Sequence, residues 1–236
     1  MHWLLNCFRQ WRYLFLLCTL LVLLVIQPIA SGFGIGGSLF DALFVFVMVV
    51  LVLALAQDKV WSVIAFILCI PAATLSIGGH FLTSSAQVLS VTIGHAIGAL
   101  FFVAVAGRII RSIFTSREVS LDSIFGVICG YLLLGVACAL MYAMIYAANP
   151  EAFQFSDFAR RQMEQQDQSR NVFIYYSFVT LTTVGYGDVT PLSISARTLS
   201  WVEAMTGQLY LAVLIAGLIS ALVARNTTRI RQEGDH

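Results

Sequence analysis

The sequence predicts an all-α membrane protein: six transmembrane helices, one short re-entrant helix and an extended loop behind it. Three observations lead there. Of the 236 residues, 59% are hydrophobic and 11% are charged, against about 45–50% and about 25% in soluble domains. The apolar residues gather into long runs separated by short polar segments. Between the last two runs stands Thr182-Thr183-Val184-Gly185-Tyr186-Gly187-Asp188, which cannot continue a membrane helix. The apolar excess excludes an ordinary soluble fold and a disordered chain. A net charge of +1 leaves no basic field for nucleic acid. No nucleophile–base pair or metal-ligand cluster at a recognisable spacing supports an enzyme, and no cofactor is expected.

The runs follow in order. The first covers residues 13–26 and continues to Ala30 past Gln27 and Pro28. With Arg9 and Arg12 before it, it also has the layout of a secretory signal. Pro28, however, stands three before a cleavage after Ala30, where a small residue belongs, so a retained span is expected. The second, residues 42–56, reaches span length with Leu39, Phe40 and Asp41 and is closed by Gln57-Asp58-Lys59. The third, 60–77, contains Pro71, which a membrane helix tolerates, and ends at Gly78-Gly79-His80. The fourth is 86–107, the fifth 124–148 and the sixth about 199–224. A polar stretch, 149–171, and an apolar segment, 172–181, separate the last two. That segment is too short to span and long enough for a re-entrant helix. Two regions result: 1–116 with four spans, and 117–236 with two spans around the re-entrant segment.

Basic residues set the orientation. Arg9, Arg12, Lys59, Arg108, Arg111, Arg117, Arg225, Arg229 and Arg231 fall on one side of the six runs; Arg160, Arg161, Arg170 and Arg197 fall on the other. The richer side is cytoplasmic, so both termini face the cytoplasm and the expected location is a plasma membrane, the inner membrane of a bacterium. The five cysteines, Cys7, Cys18, Cys69, Cys129 and Cys138, lie in or beside apolar runs and read as small buried residues.

The 182–188 loop carries the chemistry. Glycines at alternate positions permit dihedrals closed to other residues, so successive carbonyls can point to one side. Several chains around one axis would then stack rings of carbonyl oxygen that replace the hydration shell of a large monovalent cation. The Thr183 hydroxyl adds a ring at the inner end. Val184 and Tyr186 would point away from the axis.

Thr183-Val184-Gly185-Tyr186-Gly187 resembles the selectivity filter of the potassium-channel family, and residues 182–188 match its common seven-residue form. The order outer helix, polar turret, pore helix, filter, inner helix is similar too, over residues 120–225. The first four spans resemble six-span bacterial channels only in number. The resemblance implies a homotetramer in the lipid bilayer that passes K+ passively. The ion-binding set is Thr183, Val184, Gly185, Tyr186 and Gly187, with K+ held by the carbonyls of residues 183–186. Gly185 and Gly187 match the family's conformational glycines. Thr182, Asp188, Tyr175 and Tyr176 support the filter, Asp188 at the outer mouth and the tyrosines where pore-helix aromatics brace it. Interfacial anchoring is the alternative for the tyrosines. Val179 stands where some bacterial channels place a glutamate, so inactivation resting on that residue is not implied.

Candidate gating residues lie on the sixth run. Gly207 follows Gly187 by twenty residues, a spacing similar to the hinge glycine of two-span channels; close helix packing is the alternative there and at Gly217. Gly126 and Gly130 on the fifth run read as packing positions. Leu211, Ile215, Ile219 and Val223 form a stripe that would close by dewetting if it faces the axis, and would otherwise face the outer helix or lipid. Glu203, an intramembrane carboxylate, is expected to make a structural hydrogen bond.

The four-span half is not expected to sense voltage strongly. The fourth run holds no arginine; its titratable side chain is His95, read as packed rather than pH-sensing. Arg108, Arg111 and Arg117 sit at or beyond its cytoplasmic end. No soluble ligand domain is expected after the pore, where twelve residues follow Ala224. A regulatory, non-conducting membrane subunit and a potassium-transporter component are the alternative functions. One complete filter per chain weighs against both.

Overall fold

The structure is a computed structural model describing residues 11–26, 28–29, 36–55, 59–78, 84–115, 121–164 and 169–234. Its helices in chain order are α1 (Arg12–Leu21, continued by a π-helical turn Val22–Ile26), α2 (Gly36–Leu55), α3 (Lys59–Gly78), α4 (Ser84–Thr115) and α5 (Leu121–Ala148). A 3-10 turn (Pro150–Ala152), strand β1 (Phe153–Phe155), α6 (Asp157–Glu164), α7 (Ser169–Leu181), strand β2 (Val189–Pro191) and α8 (Ile194–Gly234) follow.

Each apolar run becomes helix because a backbone surrounded by apolar side chains must satisfy its polar groups within its own segment. The helices outrun the runs. α4 continues past Gly107 to Thr115, and α8 starts at Ile194 and ends at Gly234. Backbone bonding, not apolarity, sets helix ends, so the helices extend into polar sequence. Among the described residues two helices are long and apolar enough to cross a membrane: Leu89–Arg111, with mean hydropathy 2.0, and Leu121–Ala148, with 2.4. Arg12–Ile26, Ala42–Leu55, Val60–Leu75 and Asn171–Leu181 are shorter apolar helices. On α2, α3 and α4 the outward faces are as apolar as the buried ones: Phe46, Leu53, Val63, Ile67, Ile70 and Leu100 are exposed. A helix apolar all round suits a lipid surround.

One core runs through both regions of the chain. Leu16, Leu20 and Leu23 of the first helical segment, Val47, Met48 and Leu51 of α2, Phe101 and Phe102 of α4, and Leu133 and Ala137 of α5 belong to a single buried cluster. The division at residue 116 is therefore not a packing boundary. α1 docks on α5 at one end: Arg12 Nε lies 3.9 Å from Asp122 Oδ2, and the Tyr13 amide donates to Asp122 Oδ1 at 3.1 Å. The N-terminal ends of α1 and α5 thus sit on the same side. Gly126 and Gly130 are packing positions, as expected. A Cβ on Gly126 would lie 3.0 Å from the Tyr13 ring, and one on Gly130 would lie 2.7 Å from the Tyr210 hydroxyl. His95 is buried.

The chain is mostly helical, and one short strand pair departs from the all-α expectation, β1 within the 149–171 stretch and β2 after the loop. β1 and β2 pair antiparallel, with Phe153 opposite Pro191, Gln154 opposite Thr190 and Phe155 opposite Val189. Alternation in Phe-Gln-Phe puts aromatic rings on one face. They complete a second buried cluster with Tyr142, Phe173, Tyr176 and Val189, which fastens the chain on both sides of the 182–188 loop to α5 and α7.

Candidate functional site

α7 ends at Leu181 and the chain leaves it through a turn at Thr182 and Thr183. Among the described residues three have positive φ: Thr183 at 59°, Gly185 at 60° and Gly187 at 80°. The two glycines adopt dihedrals that glycine favours. Thr183 is a β-branched residue in the left-handed region, a rare and strained state. The inner amides fold back onto α7: Thr183 N donates to the Thr180 carbonyl at 2.9 Å, and Val184 and Gly185 N donate to the Val179 carbonyl at 2.9 and 3.3 Å. The carbonyls behave differently. Among the described residues, those of Thr183, Val184, Gly185 and Tyr186 accept no hydrogen bond from the protein. A row of consecutive unsatisfied carbonyls at membrane depth is costly unless it faces water or a cation. The negative end of the α7 dipole lies at the same place.

The outer end is held from the side. Asp188 stands near enough to Tyr175 to act electrostatically on its hydroxyl, and the Tyr175 and Tyr186 rings lie parallel with centroids 6.5 Å apart. The Asp188 carbonyl accepts from Ser156 N at 2.8 Å, which ties the loop to the strand pair. Thr182 Oγ1 donates to the Phe178 carbonyl at 2.6 Å, capping the end of α7. Tyr176 does not join Tyr175 at the loop. Its hydroxyl lies 2.7 Å from Ser200 Oγ on α8, because consecutive helical residues diverge by about 100°. In the single chain Val184 is 52% exposed and Tyr186 72% exposed. Such apolar exposure at a structured loop calls for cover from another surface.

α8 meets the loop from below. At Gly207 the two backbones touch: a Cβ there would lie 2.3 Å from the Leu181 carbonyl oxygen. The Tyr131 hydroxyl donates to the same carbonyl at 3.3 Å. One residue on, Gln208 Nε2 donates to Thr183 Oγ1 at 3.1 Å. Helix α8 is continuous through Gly207 and Gly217. Of the stripe residues, Leu211 is exposed, while the side chains of Ile215, Ile219 and Val223 lie outside the described residues.

Behind the loop Glu203 is 2% exposed and is fully engaged. The Tyr142 hydroxyl donates to Oε2 at 2.6 Å, and Ser177 Oγ lies 2.5 Å from Oε1. Ser177 Oγ lies 2.7 Å from the Gly135 carbonyl as well. One side chain therefore joins α5, α7 and α8. Of this hydrogen-bonded set, Glu203 is the one whose bonding the sequence suggests. Tyr142 and Ser177 are ordinary helical residues in sequence, and Gln208, a lone amide in an apolar run, is not singled out by it. Replacing Glu203 with Ala removes the carboxyl and orphans buried donors, at about 1–3 kcal/mol for each. The expected result is a lower melting temperature for the detergent-solubilised assembly, with Glu203→Gln closer to wild type; thermal unfolding followed by size-exclusion chromatography checks it.

The family model described as "Ion channel" matches residues 131–224, which takes in most of α5, the loop and the first part of α8. Protein LctB of Bacillus caldotenax is 32% identical over 100 residues, covering 42% of this chain and 72% of the relative. Protein LctB of Geobacillus stearothermophilus is 30% identical over 106 residues, covering 44% and 75% respectively. With a matched segment that contains the free-carbonyl loop and both helices that hold it, the chain belongs to the ion-channel family.

Proposed function

We propose that the chain is one subunit of a homotetrameric, potassium-selective channel that conducts passively across a plasma membrane, the inner membrane in a bacterium. Each subunit contributes six spans, with both termini cytoplasmic. The carrying observation is the run of unbonded carbonyls at Thr183, Val184, Gly185 and Tyr186. Neutral oxygen rings replace the water shell of a large monovalent cation without trapping it by net charge. One loop cannot surround an ion, and the exposed Val184 and Tyr186 side chains are then covered by neighbouring subunits. Permeant K+ is the only ion this reading requires. The test is purified protein in planar bilayers with opposed K+ and Na+ gradients. The reversal potential is expected to follow the K+ gradient; one that follows Na+ equally would overturn the reading.

Voltage dependence is expected to be shallow. Arg108 and Arg111 close the apolar stretch Leu89–Arg111, and Arg117 lies outside the described residues. A full crossing of the field is worth about 2.3 kcal/mol per charge per 100 mV, and charges at one edge traverse little of it. Arg111→Gln should leave the conductance–voltage curve nearly unchanged. A steep wild-type curve that flattens in this variant would make residues 1–116 a working sensor.

A further inference from the structure

We propose that Gln208 is the residue that receives the cation at the inner end of the conducting loop. This rests on the potassium-channel reading above and adds a ligand that the filter motif does not contain. The position follows from packing. Gly207 brings α8 into backbone contact with Leu181, so the next side chain, about 100° further round the helix, meets the loop where it leaves α7. There Gln208 Nε2 donates to Thr183 Oγ1 at 3.1 Å.

Two consequences follow. First, the amide occupies one lone pair of the Thr183 hydroxyl and so restricts its rotation. Thr183 is the strained residue of the loop, with φ 59°, and this contact helps to hold it there. Second, Gln208 Oε1 has no donor among the described residues. Gln208 is exposed in the single chain, so this oxygen is open to the space beside the inner end of the loop. Leu209 and Leu211 beside it are exposed and apolar, so no neighbour on the helix supplies a donor. In a four-fold assembly four Oε1 atoms form a polar ring immediately inside the ring of Thr183 hydroxyls. The chemical class that fits is a partly hydrated monovalent cation exchanging its last waters for amide and hydroxyl oxygen. A divalent ion of similar size should lodge at the same place.

Ba2+ is the probe. Block by Ba2+ applied from the α8 side is measured in planar bilayers for wild type, Gln208→Leu and Gln208→Glu. Gln208→Leu keeps the bulk and loses both polar groups; apparent Ba2+ affinity is expected to fall by about tenfold, the scale of one lost ligand interaction. Gln208→Glu keeps the oxygen and adds charge, and affinity is expected to rise by a similar factor. A merely structural role would shift both variants the same way. Affinities in both variants within about threefold of wild type, a difference of less than one hydrogen bond, would overturn the proposal. Should Gln208→Leu fail to assemble, Gln208→Glu decides alone: tighter block supports the proposal and unchanged or weaker block overturns it. The potassium reading is judged separately, on the wild-type reversal potential. The Ba2+ comparison is made on whichever monovalent current the protein carries, so the two can fail independently.

Discussion

Under the potassium-selective reading, Gly185→Ala is expected to yield an assembled channel that no longer separates K+ from Na+. Sterics are not the cause, since nothing lies within 4 Å of the added Cβ. The cost is in the backbone: φ is +60° at Gly185, and a left-handed L-residue costs about 1–2 kcal/mol. Thr183 carries the same strain at φ 59°, but its amide is bonded to Thr180 at 2.9 Å and its hydroxyl is held by Gln208. Gly185 has only the longer 3.3 Å bond to Val179. The alanine variant can therefore relax out of the left-handed region, and relaxation rotates the Gly185 peptide so that its carbonyl leaves the row. Four subunits in one pathway repeat the defect four times under the tetrameric reading. Native mass measurement should show the wild-type assembly, while reversal potentials under opposed K+ and Na+ gradients should collapse toward zero. Retained discrimination would remove Gly185 from the ion path.

The two halves of the site differ in how far the sequence reveals them, and the reason is locality. The loop is legible because its demands are consecutive: glycines at 185 and 187, where φ is positive, and an aspartate at 188 that meets a tyrosine thirteen positions back on the helix that delivers it. Tyr176 stands beside Tyr175 in sequence, but sequence position does not state which way a helix is rolled, and the structure turns it to Ser200. The strand pair escapes notice for a related reason. Three residues on each side of α7 make the ladder, and neither triplet is long enough to announce a strand. The Glu203 cluster is less legible still. Its carboxyl is visible as an expensive intramembrane group, but its partners come from α5 and α7, whose relative placement no local pattern encodes. Helix ends behave alike: the runs locate each helix, while α4 and α8 continue through polar residues that hydropathy discards.

Gly207→Ala is expected to abolish the assembled, conducting protein rather than to adjust its opening. Hinge and close packing are both consistent with a glycine at this spacing, and the geometry favours packing. The new Cβ would lie 2.3 Å from the Leu181 carbonyl oxygen, 3.3 Å from the carbonyl carbon and 3.0 Å from Leu181 Cδ1. A side chain could swing aside, but a carbonyl at the end of α7 cannot, because it also accepts the Tyr131 hydroxyl and is followed directly by Thr182, whose hydroxyl caps the helix. Relief would require α7 and α8 to separate. Separation would pull Gln208 from Thr183 and Ser177 from Glu203, so the strain reaches the 182–188 loop and the buried carboxyl together. Overpacking a tight contact costs about 1–3 kcal/mol, occasionally more, and backbone against backbone belongs at the upper end. The measurement is the yield and melting temperature of the solubilised assembly, with Gly185→Ala, which meets no neighbour, as the comparison expected to assemble normally. A Gly207→Ala protein with wild-type yield and melting but a changed open probability would restore the hinge reading, since a hinge loses flexibility without losing its fold.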